Sequence, residues 1–156
     1  MAWGPTAATE DAILSQATEV GVSEGIYLLR EGSATAGEAL ISFPAHEAVK
    51  GLAWLPDGSG FVFSVTGGEF FPDTRGSNIF RYMFGTGEVS AVTEFQNEYT
   101  GLLSVSPDGS QIVFERAAEL HALDARPVDP DLWIVAIDGS GLRLLVEDAR
   151  APGWSP

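Results

Sequence analysis

The sequence predicts an all-β fold, built as about three tandem units of four short antiparallel strands, and three observations carry that prediction. The first is a landmark of an aromatic or aliphatic residue, a spacer and then proline. It occurs at Trp3-Gly4-Pro5, Trp54-Leu55-Pro56, Val105-Ser106-Pro107 and Trp154-Ser155-Pro156, at intervals of 51, 51 and 49 residues. The second is a continuation shared by two of these copies: Pro56-Asp57-Gly58-Ser59-Gly60-Phe61-Val62-Phe63 aligns with Pro107-Asp108-Gly109-Ser110-Gln111-Ile112-Val113-Phe114, a tight turn and then an apolar run. The third is an independent phase marker. Ile26-Tyr27-Leu28-Leu29, Ile79-Phe80-Arg81-Tyr82 and Leu132-Trp133-Ile134-Val135 stand 53 and 53 residues apart. Self-similarity at a fixed period of this length is the mark of a repeat architecture.

Strands are placed where β-branched and aromatic runs are bounded by Gly, Pro, Asp and Ser clusters. In the first repeat, residues 12–15, 25–30 and 38–42 fit, while residues 6–11 lack the Asp-Gly turn and blur the pattern. The middle repeat gives 49–54, 61–65, 78–84 and 88–95, and the next gives 101–105, 111–115, 131–137 and 141–146. Residues 117–125 are the only stretch with helical character. Their Ala-Glu-Leu-His-Ala-Leu pattern has room for one or two turns, which are marginal without packing, and a loop insertion is the equal alternative. The organisation expected is one β-repeat domain over 1–156, with repeats near 1–51, 52–102 and 103–153, and residues 151–156 opening the next inner strand. A chain of 156 residues is long enough for a sizeable core.

Turns such as Pro-Asp-Gly and Asp138-Gly139-Ser140-Gly141 join antiparallel neighbours, so each unit is a four-stranded meander. Such a sheet has no means of covering both of its faces, and its neighbours must do so, which is why repeats stack.

These landmark segments, with Asp131-Leu132-Trp133-Ile134-Val135-Ala136-Ile137-Asp138-Gly139, resemble the TolB-type, PD40 (WD40-like) β-propeller repeat. That pattern is Trp-Ser-Pro-Asp-Gly, an apolar strand, then a strand ending in Asp-Gly. The match covers most of 49–156 and reaches 1–43 only in spacing. It implies four-stranded blades whose innermost strand carries the Trp-x-Pro. It also implies a kinship with six-bladed propellers, with the gating domains of prolyl-oligopeptidase-like hydrolases and tricorn-type proteases, and a periplasmic or extracytoplasmic setting. The chain departs from the family in length, because three repeats supply about three blades and rings typically close with four to eight. A piece of a longer propeller, or half of a six-bladed ring formed by two copies, are the readings this leaves. A β-trefoil, also three units of four strands, is the structural alternative.

Composition narrows the partners. Eight Lys and Arg against 22 Asp and Glu give a net charge of −14, and with a pI near 4.2 this argues against a nucleic-acid surface, where phosphates need cations. A basic partner, a cation or a metal fits the charge better, although solubility alone accounts for it. There is no cysteine, so disulfides and thiolate metal sites are ruled out. No apolar run of membrane-spanning length and no signal-peptide pattern is present, so membrane insertion is not expected.

In a meander, alternate connections fall on opposite edges of the sheet. The first-to-second and third-to-fourth turns are short. The second-to-third and fourth-to-first connections include the insertions 66–77 and 116–130, and long loops on a rigid scaffold are where binding groups collect. In the first insertion Phe70, Phe71, Asp73 and Arg75 have the composition of an interface anchor with a polar rim, or of a satellite core folded onto the sheet. The fourth-to-first connections place His46, Glu47 and Lys50, then Asn97, Glu98 and Tyr99, then Glu147, Asp148 and Arg150, at the mouth of the central opening. That mixed-charge rim suits a peptide, or pairs internally. Glu119, His121, Asp124, Asp129 and Asp131 form no calcium-loop pattern and are read as a solvated acidic loop, not a metal site. Asp57, Asp108 and Asp138 each precede Gly, so their carboxylates are expected to cap the local backbone. Trp54 and Trp154 are expected in the core between units.

Candidates for catalysis are few. There is no His-Glu-x-x-His and no P-loop, and His46 and His121 lie in different loops. The reading is therefore a non-catalytic module for protein or peptide recognition, without cofactor and able to self-associate into a ring. A gating propeller of a serine peptidase and a carbohydrate-binding trefoil are the alternatives.

Overall fold

A computed structural model describes residues 2–3, 12–17, 24–30, 39–43, 49–66, 76–120 and 127–154. Its strands make three four-stranded sheets, each a plain meander in sequence order. The first holds β1 (Ala2–Trp3), β2 (Ala12–Ala17), β3 (Glu24–Arg30) and β4 (Ala39–Phe43). In the second are β5 (Val49–Trp54), β6 (Gly60–Thr66), β7 (Ser77–Met83) and β8 (Glu88–Ala91). The third comprises β9 (Tyr99–Val105), β10 (Gln111–Ala117), β11 (Asp131–Ala136) and β12 (Arg143–Val146). All pairings within them are antiparallel. Strands pair only inside their own repeat, so the trefoil alternative is not realised and the architecture is that of partial propeller blades. The region 117–125 is not helical over its described part. Ala117 ends β10, Leu120 bridges Pro127, and the Val128 N–H donates to the Glu119 carbonyl at 2.9 Å.

The middle sheet explains the composition of its strands. Successive residues face opposite sides, and here both sides are covered. Phe61, Phe63, Val65 and Phe80 join Ile26, Ile41 and Phe43 of the first sheet in one core. Val62 and Ile79 point the other way, into a second core with Leu103, Ile112, Phe114 and Val135 of the third sheet. A strand buried on both faces loses polar alternation, and β6 is apolar or buried from Phe61 to Val65 without a break. The first core is aromatic: Phe61 stacks on Tyr82 at 4.9 Å and Phe63 on Phe80 at 5.6 Å between ring centroids. Where the inner strands β5 and β9 meet, Gly51 leaves no room for a side chain. A Cβ there would lie 2.8 Å from the Leu103 side chain and 2.9 Å from the Gly101 carbonyl.

Strand β8 stops at Ala91, four residues short of the sequence expectation, because side chains take over the ladder. The Thr93 hydroxyl accepts the Ile79 N–H at 2.9 Å. Asn78, buried to 1% exposure, donates to the Phe95 carbonyl at 3.0 Å, and its Oδ1 accepts the Phe95 N–H and the Thr93 hydroxyl. The third sheet repeats the device at the matching position, where Asp131 Oδ1 accepts the Asp148 N–H at 3.0 Å. Trp154 departs from expectation. It is 36% exposed and lies beside β9, with its indole N–H donating to the Ser104 carbonyl at 3.2 Å. Among the described residues no fourth sheet stands over that face to bury it.

The two clamps differ in burial, and so should their worth. Replacing Asn78 with Ala strands the Phe95 amide and carbonyl in the interior and should cost about 3 kcal/mol in urea unfolding. Asp131→Ala, at an exposed bond, should cost under about 1 kcal/mol. Equal losses at the two sites would show that burial does not set the value of the clamp.

Candidate functional site

The meander divides the molecule into two edges. A turn edge carries the Pro-Asp-Gly and Asp-Gly turns, and a loop edge carries the long second-to-third connections and the crossings between sheets.

The turns are held by their aspartates. Asp57, Asp108 and Asp138 each accept, through Oδ1, the N–H and the hydroxyl of the serine two residues on, at 2.9 and 2.7 Å, 3.0 and 2.8 Å, and 2.9 and 2.6 Å. Gly58, Gly109 and Gly139 supply the positive φ that each turn requires, at 73°, 74° and 86°. These hydrogen bonds favour the carboxylate form, and all three groups lie below the ordinary value of 3.8. At Asp57 and Asp138 the hydroxyl of the following serine is the leading cause. Asp108 is lowered to about 2, chiefly by the Ser106 hydroxyl at 2.6 Å, a group the second repeat replaces with Leu55.

On the loop edge, sheets two and three bring together the ends of β6, β10 and β12 with the starts of β5, β7, β9 and β11. Lys50 stands half-buried in β5, while Glu98 and Tyr99 lead into β9, the inner strand packed beside it. Asn97 and Asp148 are exposed. Part of the rim is already paired. Glu98 Oε2 forms an ion pair with Arg116, and Arg150 Nη1 donates to the Pro127 carbonyl at 3.1 Å. The side chains of Lys50, Asn97 and Tyr99 have no hydrogen bond or ion pair among the described residues. His46, Glu47, Phe70, Phe71, Asp73 and Arg75 lie outside the described residues, as do His121, Asp124 and Arg126. Within the described residues no three His, Asp or Glu side chains are gathered as a metal site would need.

Two residues on this edge escaped the sequence reading. Arg116 fills the seam between the sheets, with its guanidinium 4.4 Å from the Phe95 ring centre and 4.1 Å from that of Trp133. Glu115 is 4% exposed, and its carboxylate accepts the Leu102 N–H at 3.2 Å and the Ala151 N–H at 2.8 Å. It thereby fastens the segment after β12 to the inner strand. The only sequence signal for either is a pair of charges, Glu115-Arg116, closing an otherwise apolar strand.

With the blades and their edges defined, the chain can be set beside solved structures. It superposes on TolB from Acinetobacter baumannii with a TM-score of 0.63 at 21% identity, covering 94% of this chain and 31% of that one. The fold is that of a TolB-type β-propeller. A putative TolB from Agrobacterium tumefaciens matches with a TM-score of 0.62 at 21% identity, over 87% of this chain and 42% of that one. An oligogalacturonate lyase in complex with manganese matches with a TM-score of 0.54 at 19% identity, over 78% of this chain and 29% of that one. This TolB-like chain thus spans between about a third and two-fifths of the length of the two TolB structures. No protein-family model and no curated protein matches its sequence.

The turn aspartates make a measurable titration. Asp108 has its folded pKa depressed, so its turn contributes stability that is fully present above the ordinary value of 3.8 and is lost as the pH falls through about 2. In an NMR titration the Ser110 amide should move with a midpoint near 2, and Ser106→Ala, which removes the leading cause, should raise that midpoint toward 3.8. An unchanged midpoint in Ser106→Ala would contradict the assignment.

Proposed function

We propose that the chain is a non-catalytic interaction module of TolB-like propeller type that takes a protein or peptide on its loop edge. The single observation that carries this reading is topological. The long connections and the inner-strand ends belong to one edge of stacked sheets, and the side chains of Lys50, Asn97 and Tyr99 there have no hydrogen-bond partner among the described residues. The proposed contact residues are Phe70, Phe71, Asp73 and Arg75 in the first insertion, with His46, Glu47, Lys50, Asn97, Glu98, Tyr99, Asp148 and Arg150 around the inner rim. An aromatic pair beside charges provides an anchor and a polar border, the usual division of labour in an interface.

The test begins with peptides selected on the intact chain from a random display library and titrated by calorimetry. Phe70→Ala/Phe71→Ala and Lys50→Ala/Tyr99→Ala should each weaken the selected peptides by about tenfold or more. Affinities that survive both changes would place recognition elsewhere.

A second reading rests on the outer face of the third sheet, where Leu102 and Val146 are 51% and 46% exposed and Trp154 is 36% exposed. Within the chain, the corresponding faces of the first and second sheets are each covered by the next repeat. A second copy is therefore the proposed cover, completing a ring between chains. Sedimentation equilibrium should then give about twice the chain mass of 16.5 kDa, and Leu102→Glu should return it to the single-chain value. A single-chain mass at every concentration, in the unaltered protein, would remove this reading.

A further inference from the structure

The seam between sheets two and three opens on the turn edge into a cleft of about 490 Å³. Its walls are the facing Pro-Asp-Gly turns of two repeats, and they nearly touch: a Cβ on Gly109 would sit 3.4 Å from the Pro56 ring. Leu55, Met83 and Ile137 give the cleft an apolar lining, and Asp57 and Asp108 stand at its mouth. Arg81 of β7 also lines it.

Arg81 is the odd residue of the repeat. The matching positions, 53 residues away on either side, are Leu28 and Ile134, so a guanidinium replaces an aliphatic side chain at this one seam. Its Nε is buried and has no hydrogen-bond partner among the described residues. Nor does its side chain make an ion pair among the described residues, where the single such pair is Arg116 with Glu98. A buried donor without an acceptor is uncommon and calls for a specific account. The aspartates are in the complementary condition. Among the described residues each commits Oδ1 to its own turn and has no donor bonded to Oδ2, so the cleft presents an unpaired guanidinium on its wall and two carboxylate oxygens at its mouth.

We propose that this cleft binds a peptide segment bearing a basic side chain. A main-chain carbonyl of the segment accepts from the Arg81 guanidinium where it lines the cleft, the aliphatic stem of its Lys or Arg lies against Leu55, Met83 and Ile137, and its cationic head meets Asp57 and Asp108. A neutral acceptor suits Arg81 here, because a ligand carboxylate would have to enter past two negative charges. The net charge of −14 draws a basic segment toward the same place. The site lies on the opposite edge from the proposed loop-edge interface and stands independently of it.

The probe is the blocked tripeptide acetyl-Gly-Arg-Gly-amide, titrated into the full chain and followed by amide NMR, with acetyl-Gly-Glu-Gly-amide as control. Saturable shifts confined to the amides of Met83, Gly109 and Ile137 and their neighbours are expected with the arginine peptide alone. Arg81→Leu, which installs the first repeat's own residue, should weaken binding about tenfold or more. Asp57→Asn/Asp108→Asn keeps the Oδ1 acceptor that each turn needs and should weaken it similarly, with the chain still folded by far-UV circular dichroism. Phe70→Ala/Phe71→Ala should leave it unchanged. Equal response to the glutamate peptide, shifts mapping to the loop edge, an absence of saturable shifts, or affinity retained in both cleft variants would each overturn the proposal.

Discussion

Everything in this molecule depends on one requirement: a four-stranded sheet with two apolar faces must have both faces covered. The middle sheet meets it fully, with Phe63 and Val62, neighbours in sequence, serving separate cores on its two sides. Because apolar burial scales with the area removed from water, each repeat is stabilised by its neighbour more than by its own turns. That same requirement fixes the close approach of β5 and β9 at Gly51, since the second core closes only if the inner strands come within backbone reach. It also leaves the outer face of the third sheet, with Leu102 and Trp154, as the exposed counterpart of faces that are buried elsewhere in the chain.

Stacking alone does not hold the crossings between sheets, where the backbone leaves one ladder and enters the next. Those amides and carbonyls are met by side chains. Asn78 and Thr93 do this after β8, Asp131 after β12, and Glu115 ties Ala151 to the inner strand. A sealed pair of Ser77 and Thr100, hydroxyl to hydroxyl at 3.1 Å, joins the second and third sheets directly. These bonds are modest individually, but each occupies a buried group whose isolation would cost more than the bond contributes. The loop edge is consequently a set of variable connections standing on fixed roots.

The legible part of the fold was the part written in period. The Pro-Asp-Gly turns, the 53-residue marker and the apolar runs located every strand of the second and third sheets to within a few residues. What resisted was position-specific. Strand β8 ends at Ala91, short of the residue 95 that the apolar Val92 and Phe95 suggest, and the side chains of both pack into the second core as the chain crosses over. Trp154 read as core because its landmark matches Trp54, but burial depends on a neighbouring sheet and not on the motif. The Asn78 and Asp131 clamp was present in the sequence at the same repeat phase and went unread, since a polar residue at a strand start carries no obvious signal. Glu98 belonged to the expected rim, and its partner proved to be Arg116, a residue whose aromatic sandwich forms only when Phe95 and Trp133 meet across the seam.

The seam between the second and third sheets holds two arginines, and their contrast bears on what the repeat has been shaped to do. Arg116 is fully employed: two aromatic faces and a carboxylate replace the water it gave up. Arg81, in the same seam toward the turn edge, has a buried Nε with nothing among the described residues to accept from it. Stability alone would favour the aliphatic residue that the other two repeats carry at this position, because an unsatisfied buried donor costs about 1–3 kcal/mol. Local rules of this kind are broken mostly where a site needs the exception. A guanidinium without a partner among the described residues, at the one seam where the repeat's aliphatic residue is lost and beside two turn carboxylates, is such an exception.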